Sequence, residues 1–301
     1  MFGPTRGRAR GGAWRQVAWG LYVPAETDSD VVEQRIVEAA ARLPAHSAVS
    51  AWASLRWRGA TFFDGLGDGG RTRLPVPLLV GGNIRPDPRV AVSHEQLPPG
   101  EIEWVAGVPV TIVERAVFDE MRRTGSVRRA VEVIDMAIAA ELTDLERVGA
   151  YIAIRPAWTG VPMTRLALPL ASADSRSPQE TRMRLTWVLN AGLPTPVCNQ
   201  PVFDLDGRLL GIPDLFDPVA GLVGEYDGAD HLAEDRRARD AVREERFRDH
   251  GLEYVALVRG DLGRPAHAAH RIQAARARAK FLAAGDRRWT LDPPSWWAPA
   301  G

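Results

Sequence analysis

The chain is poor in three things. It has one cysteine, Cys198, one lysine, Lys280, and no apolar run long enough to cross a bilayer. A lone cysteine closes no internal disulfide, so no covalent staple is expected and the usage fits a reducing compartment. Without an apolar stretch of about 20 residues, a helical membrane span is not expected, and neither is a membrane partner. Net charge is also missing: 38 Lys+Arg balance 38 Asp+Glu. That balance excludes a uniformly basic coat and the self-repelling composition of a disordered chain. Arg6, Arg8, Arg10 and Arg15 are not followed by the apolar core of a secretory signal, so a cytoplasmic location is expected. There is no internal repeat.

What is present is an ordinary globular composition, 45% hydrophobic and 25% charged, over 301 residues. That length accommodates two domains of about 150 residues each. In the first half, VAWGLYVP (17–24) reads as a short strand. Asp28 or Ser29 is placed to cap a helix over about 30–43, and Ser50 to Trp57 reads as a second helix ended by Gly59. Residues 64–100 suit strands and turns, and WVAGVPVTI (104–112) suits a hairpin. Helices then dominate from 113 to 155, with Thr111 and Thr143 as expected caps. Residues 156–177 read as an irregular connection.

The pattern changes after that connection. Ser177-Pro178-Gln179-Glu180 is a strong helix start, with Ser at the N-cap, Pro at N1 and Glu at N3. Three strand signals follow: PVFDL (201–205), RLLGIPDLF (208–216) and LVGEYDG (222–228). Asp206-Gly207 is a hairpin signal, residues 233–250 form a charge-laced helix, and YVALV (254–258) is a buried strand. The last helix spans about 267–282, and 286–301 reads as an irregular tail. The expected layout is 1–170, 171–285 and that tail. The fold class is α/β: a C-terminal mixed sheet of about four strands flanked by helices, with an N-terminal helical α+β domain.

Three acids stand out in the second half. Glu225 and Asp227 are two apart on one strand and so share a face. A hairpin closed by DPVAG (217–221) sets Asp214 opposite a residue near 225. Like charges facing one another destabilise a hairpin, and a divalent cation is the usual compensation. Asp206 and Asp217 have plain turn explanations, Asp-Gly and Asp-Pro, whereas Asp214, Glu225 and Asp227 interrupt apolar strands. His231 follows four residues after Asp227, and Asp240 and Arg243 share a helix face with Phe247. Glu180 has a complete explanation as a capping-box residue, which does not exclude a role in a site.

In order, these residues are Glu180, Pro213-Asp214, Glu225-Tyr226-Asp227-Gly228-Ala229-Asp230-His231, then Asp240 and Arg243. Over about 175–263 the chain resembles the PD-(D/E)XK nuclease superfamily, in particular the branch related to very-short-patch repair endonucleases. The resemblance implies a restriction-endonuclease-like domain that hydrolyses DNA phosphodiesters with Mg²⁺, Mn²⁺ being a possible substitute. Asp214 and Glu225 would hold the metal, with Asp227 assisting directly or through water. Glu180 would complete the site, and His231 would transfer a proton. The superfamily's Lys would fall at Asp227, where this chain has none. More loosely, WGLYVP, LPAHSAVSAWASLRWRGA and GVPVTIVERAVFDEMRR resemble AbiEi-type antitoxin proteins of actinobacteria, with WGLYVP at the wing of an incomplete winged helix.

Charge distribution supports a DNA partner. Residues 201–231 hold seven acids and one base, whereas 232–280 hold eight acids and twelve bases. Arg236, Arg239 and Arg243 are the expected phosphate contacts. The alternative is a non-catalytic DNA-binding regulator or antitoxin-like protein that keeps the nuclease fold. A partner protein or homodimer is compatible with either.

Overall fold

The computed structural model describes residue 5 and residues 7–67, 69–228 and 234–297; residues 10 and 234–240 are described in backbone only. The chain divides into two compact units, Met1–Ala171 and Ser172–Gly301. Both are mixed α/β. Among the described residues no helix is long and apolar enough to cross a membrane.

The first unit begins with a hairpin, β1 (Trp14–Ala18) and β2 (Leu21–Pro24), turned at Gly20 with φ +76°. The stretch expected as one strand is therefore mostly turn and second strand. Then come α1 (Val32–Ala40), β3 (Ala48–Val49), α2 (Ala51–Trp57), β4 (Val76–Leu79) and β5 (Val90–Ser93). The expected hairpin is β6 (Ile102–Val105) and β7 (Val108–Thr111), closed by Ala106 and Gly107, both at positive φ. That is the backbone twist a two-residue loop needs to keep strands paired. α3 (Val113–Arg123), α4 (Val127–Ala139), α5 (Leu145–Ala153) and α6 (Val161–Ala167) complete the unit. Strand order is β5-β4-β3-β7-β6. Trp52, Leu55, Phe118, Met121 and Ile134 are fully buried in its core.

Three local expectations fail here, each because a side chain has a better partner elsewhere. Thr111 does not cap α3; its hydroxyl lies 3.3 Å from that of Ser50. Thr143 donates to Glu114, and Asp144 caps α5 by accepting from the Arg147 N–H at 2.8 Å. Neither Asp28 nor Ser29 caps α1: Ser29 donates to Glu38 and Asp28 accepts from the Asp30 N–H. The expected irregular connection also contains α6.

The second unit opens with α7 (Pro178–Leu185), continued by a wider turn over Thr186–Asn190 and ended at Gly192, φ +65°. Ser177 caps it as the sequence signals, its hydroxyl accepting the Glu180 N–H at 3.2 Å. The strands are β8 (Val197–Cys198), β9 (Val202–Asp204), β10 (Leu209–Gly211), β11 (Leu215–Asp217) and β12 (Leu222–Asp227). α8 (Glu234–Asp249), β13 (Glu253–Val258), α9 (Arg259–Leu262), α10 (Pro265–Arg278) and β14 (Trp289–Thr290) follow. The run 208–216 is not one strand. Ile212-Pro213-Asp214 breaks it, because Pro213 cannot donate to a ladder, and its halves join different sheets.

The main sheet runs β13-β12-β11-β8, antiparallel except that β12 and β13 are parallel. Strand alternation sorts its two faces. Leu215, Leu222, Val255 and Leu257 pack against Met183 and Trp187 of the first helix and against Ala268, Ile272 and Ala275 of α10. Phe216, Val223 and Tyr254 face the other way, towards Val202, Leu210, Phe247 of α8 and Trp289. Gly224 allows the close approach on the first face: a Cβ there would meet Met183 Cε at 2.8 Å and Trp187 at 3.1 Å.

The stretch expected as an irregular tail is part of this core. β14 pairs with β9, and the Trp289 ring sits edge-on to Phe216, with centroids 5.0 Å apart. Trp289→Ala should therefore lower unfolding stability by about 3–5 kcal/mol, read from urea denaturation. A loss under about 1 kcal/mol would contradict this packing.

Candidate functional site

The β11–β12 register builds the site. Leu215 pairs with Gly224, so Asp214 immediately precedes the paired end of β11 and Glu225 immediately follows its partner on β12. By alternation along β12, Glu225 lies on the face of Val223, towards α8. Pro213 frees Asp214 from strand geometry, and its carboxylate Oδ2 accepts the Tyr226 N–H at 2.7 Å.

Asp214 is the group whose chemistry is most altered. Burial raises its pKa from the ordinary value to about 6, and the nearby Glu180 raises it too; the Tyr226 N–H and Arg243 pull it down. Among the described residues no cation forms an ion pair with it. Burial without an ion pair is what makes its anion costly. Glu225 is buried, and Arg243 Nη2 donates to its Oε2 at 3.0 Å. Arg243, expected at a phosphate, spends this contact on the site's own carboxylate. Phe247, one turn further along α8, is fully buried on the same face, which is why Arg243 points at the strand.

Glu180 does both things its position allows. Its backbone is capped by Ser177, and its Oε2 accepts from the Arg176 N–H and from Asn199 Nδ2, each at 2.8 Å. The helix start thereby brings a third carboxylate within electrostatic reach of Asp214. Asp227 is exposed at the end of β12. On the other face at that end, burial raises the pKa of the half-buried Tyr226 hydroxyl, Arg259 and Arg182 lower it, and Asp227 raises it. His231 and the side chains of Arg236, Arg239 and Asp240 lie outside the described residues, although the α8 backbone carries Arg236 and Arg239.

Among the described residues, no three His, Cys, Asp or Glu side chains form a group able to hold a metal ion. The three-carboxylate set Asp214, Glu225 and Asp227 is therefore not assembled here as a ready cage. Sequence reasoning missed Asn199. It sits at φ +49°, donates also to the Asp174 carbonyl at 2.7 Å, and its N–H reaches the Asp214 carbonyl at 3.3 Å. It ties the α7 start to the Asp214 strand. Asparagine tolerates the left-handed region better than most residues, and the Asn199-Gln200-Pro201 turn was the signal available.

Comparison with protein-family models, with curated proteins and with solved structures finds no match to this chain.

The Asp214 shift fixes a sign. An unfolded carboxyl titrates near about 3.9, the folded one at about 6. Between these values the folded state holds the extra proton, so this group's cost is absent at low pH and complete above the folded pKa. Asp214→Asn should therefore raise stability at pH 8 by about 1–2 kcal/mol and change little near pH 4. Denaturant melts at the two pH values check this. A variant less stable than wild type at pH 8 would contradict it.

Proposed function

We propose that the second unit is a Mg²⁺-dependent DNA endonuclease of the PD-(D/E)XK type, on a restriction-endonuclease-like sheet, related to repair or defence nucleases. The observation that carries this reading is the buried Asp214 carboxylate, raised to a pKa of about 6 by burial and by the nearby Glu180, at the end of β11 beside the β12 strand that carries Glu225. A buried carboxylate held against burial and a neighbouring carboxylate is costly, and a divalent cation is the ligand that relieves it. The donors are oxygens, which suit Mg²⁺ or Mn²⁺.

Asp214 and Glu225 would hold the ion, and the exposed Asp227 would join directly or through water. Bound there, the metal supplies a nucleophilic water at neutral pH and neutralises charge building on the phosphate. The chain's own residues do the rest. Asn199 and the α7 cap orient Glu180 towards Asp214. The Tyr226 N–H fixes one oxygen of the Asp214 carboxylate, which would help to hold the ion. Arg243 holds Glu225 on the face towards α8. His231 is the proposed proton carrier, in place of the superfamily's Lys. Arg236 and Arg239 are the proposed phosphate contacts, and DNA is the proposed partner.

One observation favours a second reading. The Arg243–Glu225 ion pair supplies with an arginine part of the charge a metal would bring. A non-catalytic DNA-binding regulator or antitoxin-like protein would keep that arrangement permanently.

Supercoiled plasmid separates the two. Nicking in Mg²⁺ or Mn²⁺, absent with EDTA and reduced at least about 100-fold by Asp214→Ala and by Glu225→Ala, is the expected result. DNA binding without cleavage in either metal would overturn the enzyme reading in favour of the regulator.

A further inference from the structure

The first unit contains a cavity that the nuclease reading does not use. It has a volume of about 220 Å³ and lies among β1, α1 and the approaches to β4 and β5. Five arginines line it: Arg15, Arg35, Arg42, Arg73 and Arg89. They share only three carboxylates in ion pairs. Arg15 pairs with Glu38 at 2.8 Å, Arg73 with Asp30 at 2.7 Å, and Arg42 and Arg89 both hold Asp87, at 2.8 and 2.7 Å. Among the described residues no carboxylate forms an ion pair with Arg35, although Asp30 and Asp64 act on it at longer range. It donates to the carbonyls of Leu74 and Gly65 and lies over the Trp52 ring, 5.5 Å from its centroid. Glu38 and Ser29 also line it, Glu38 being taken up by Arg15, Ser29 and Gln34, and the rest of the wall is apolar, chiefly Val17, Leu74, Pro75, Val76 and Pro88.

We infer that this cavity is a binding site for a small organic anion, with an apolar body against the valine and proline wall and a phosphate or carboxylate head at Arg35 and Arg73. Arginine's planar fork matches both head groups. The volume limits the body to about one ring, well below the 300 Å³ or more of a drug-sized pocket. The electrostatics agree. Burial lowers the Arg35 pKa, Arg73 beside it lowers it further, and Asp30 and Asp64 only partly restore it. An entering anion removes that repulsion. A solely structural Arg35, clamping the two carbonyls, would not need Arg73 and the cavity beside it.

Isothermal titration of the full chain with phenyl phosphate, benzoate and neutral benzyl alcohol at fixed ionic strength tests the site. Saturable one-to-one binding of at least one anion and none of the alcohol is expected, and the stronger anion identifies the head group. Arg35→Gln should weaken that binding about tenfold or more. Because Arg35→Gln also loosens the loop it clamps, the half-exposed Arg73→Gln is the second variant and should weaken binding in the same direction. No saturable anion binding, or affinity unchanged in Arg73→Gln, overturns the inference.

Discussion

The second unit depends on one constraint: a buried carboxylate, Asp214, sits at the strand break before β11. Burial and the nearby Glu180 raise its pKa, and the Tyr226 N–H and Arg243 offset them only in part. Arg243 reaches in from α8 to Glu225, the Tyr226 N–H takes one oxygen of Asp214, and Asn199 ties Glu180 to the Asp214 backbone. The compensation is uneven. Glu225 gains a full cation, and Asp214 gains a single backbone donor and keeps a raised pKa. A fold that only needed stability would place an amide or an apolar residue at 214. A costly anion retained at a strand break is the feature on which the proposed cation site rests.

The packing that enforces this register comes from both faces of the sheet. Gly224 lets Met183 and Trp187 press onto β12, which brings the α7 start near Asp214. On the opposite face Phe247 anchors α8 and so aims Arg243. The first unit uses charge differently. Arg115, fully buried, is met by Glu101 at 3.0 Å and Asp119 at 2.8 Å, and its guanidinium lies 4.7 Å from the Trp158 ring centroid. Buried pairs of this kind add little net stability, because desolvation offsets much of their attraction. They do penalise any packing that leaves a partner alone. The chain's neutral total thus conceals many arginines committed to internal ion pairs.

Much of the site's skeleton was legible because it rests on local chemistry. The Ser177-Pro178-Gln179-Glu180 cap, the Ala106-Gly107 hairpin, the Asp206-Gly207 turn and the alternation that puts Glu225 and Asp227 on one face are short-range rules that nothing distant overrode. What escaped depends on distant partners. Thr111 and Thr143 look like caps until Ser50 and Glu114 claim their hydroxyls. Pro213 ends one strand and frees the next, a split invisible in the apolar run 208–216. Trp289 becomes core only because β9 has an open edge for β14. Arg243 was expected at a phosphate and on one helix face with Phe247; its contact with Glu225 depends on a strand 18 residues earlier, which the helix spacing alone does not specify.

The central claim is that the Asp214–Glu225 pair exists to hold a divalent ion. The most direct measurement is anomalous diffraction from crystals soaked in Mn²⁺. The account predicts a peak bridging the two carboxylates, with Arg243 displaced from or sharing Glu225. No peak there, with the Arg243–Glu225 ion pair intact at saturating Mn²⁺, would contradict it.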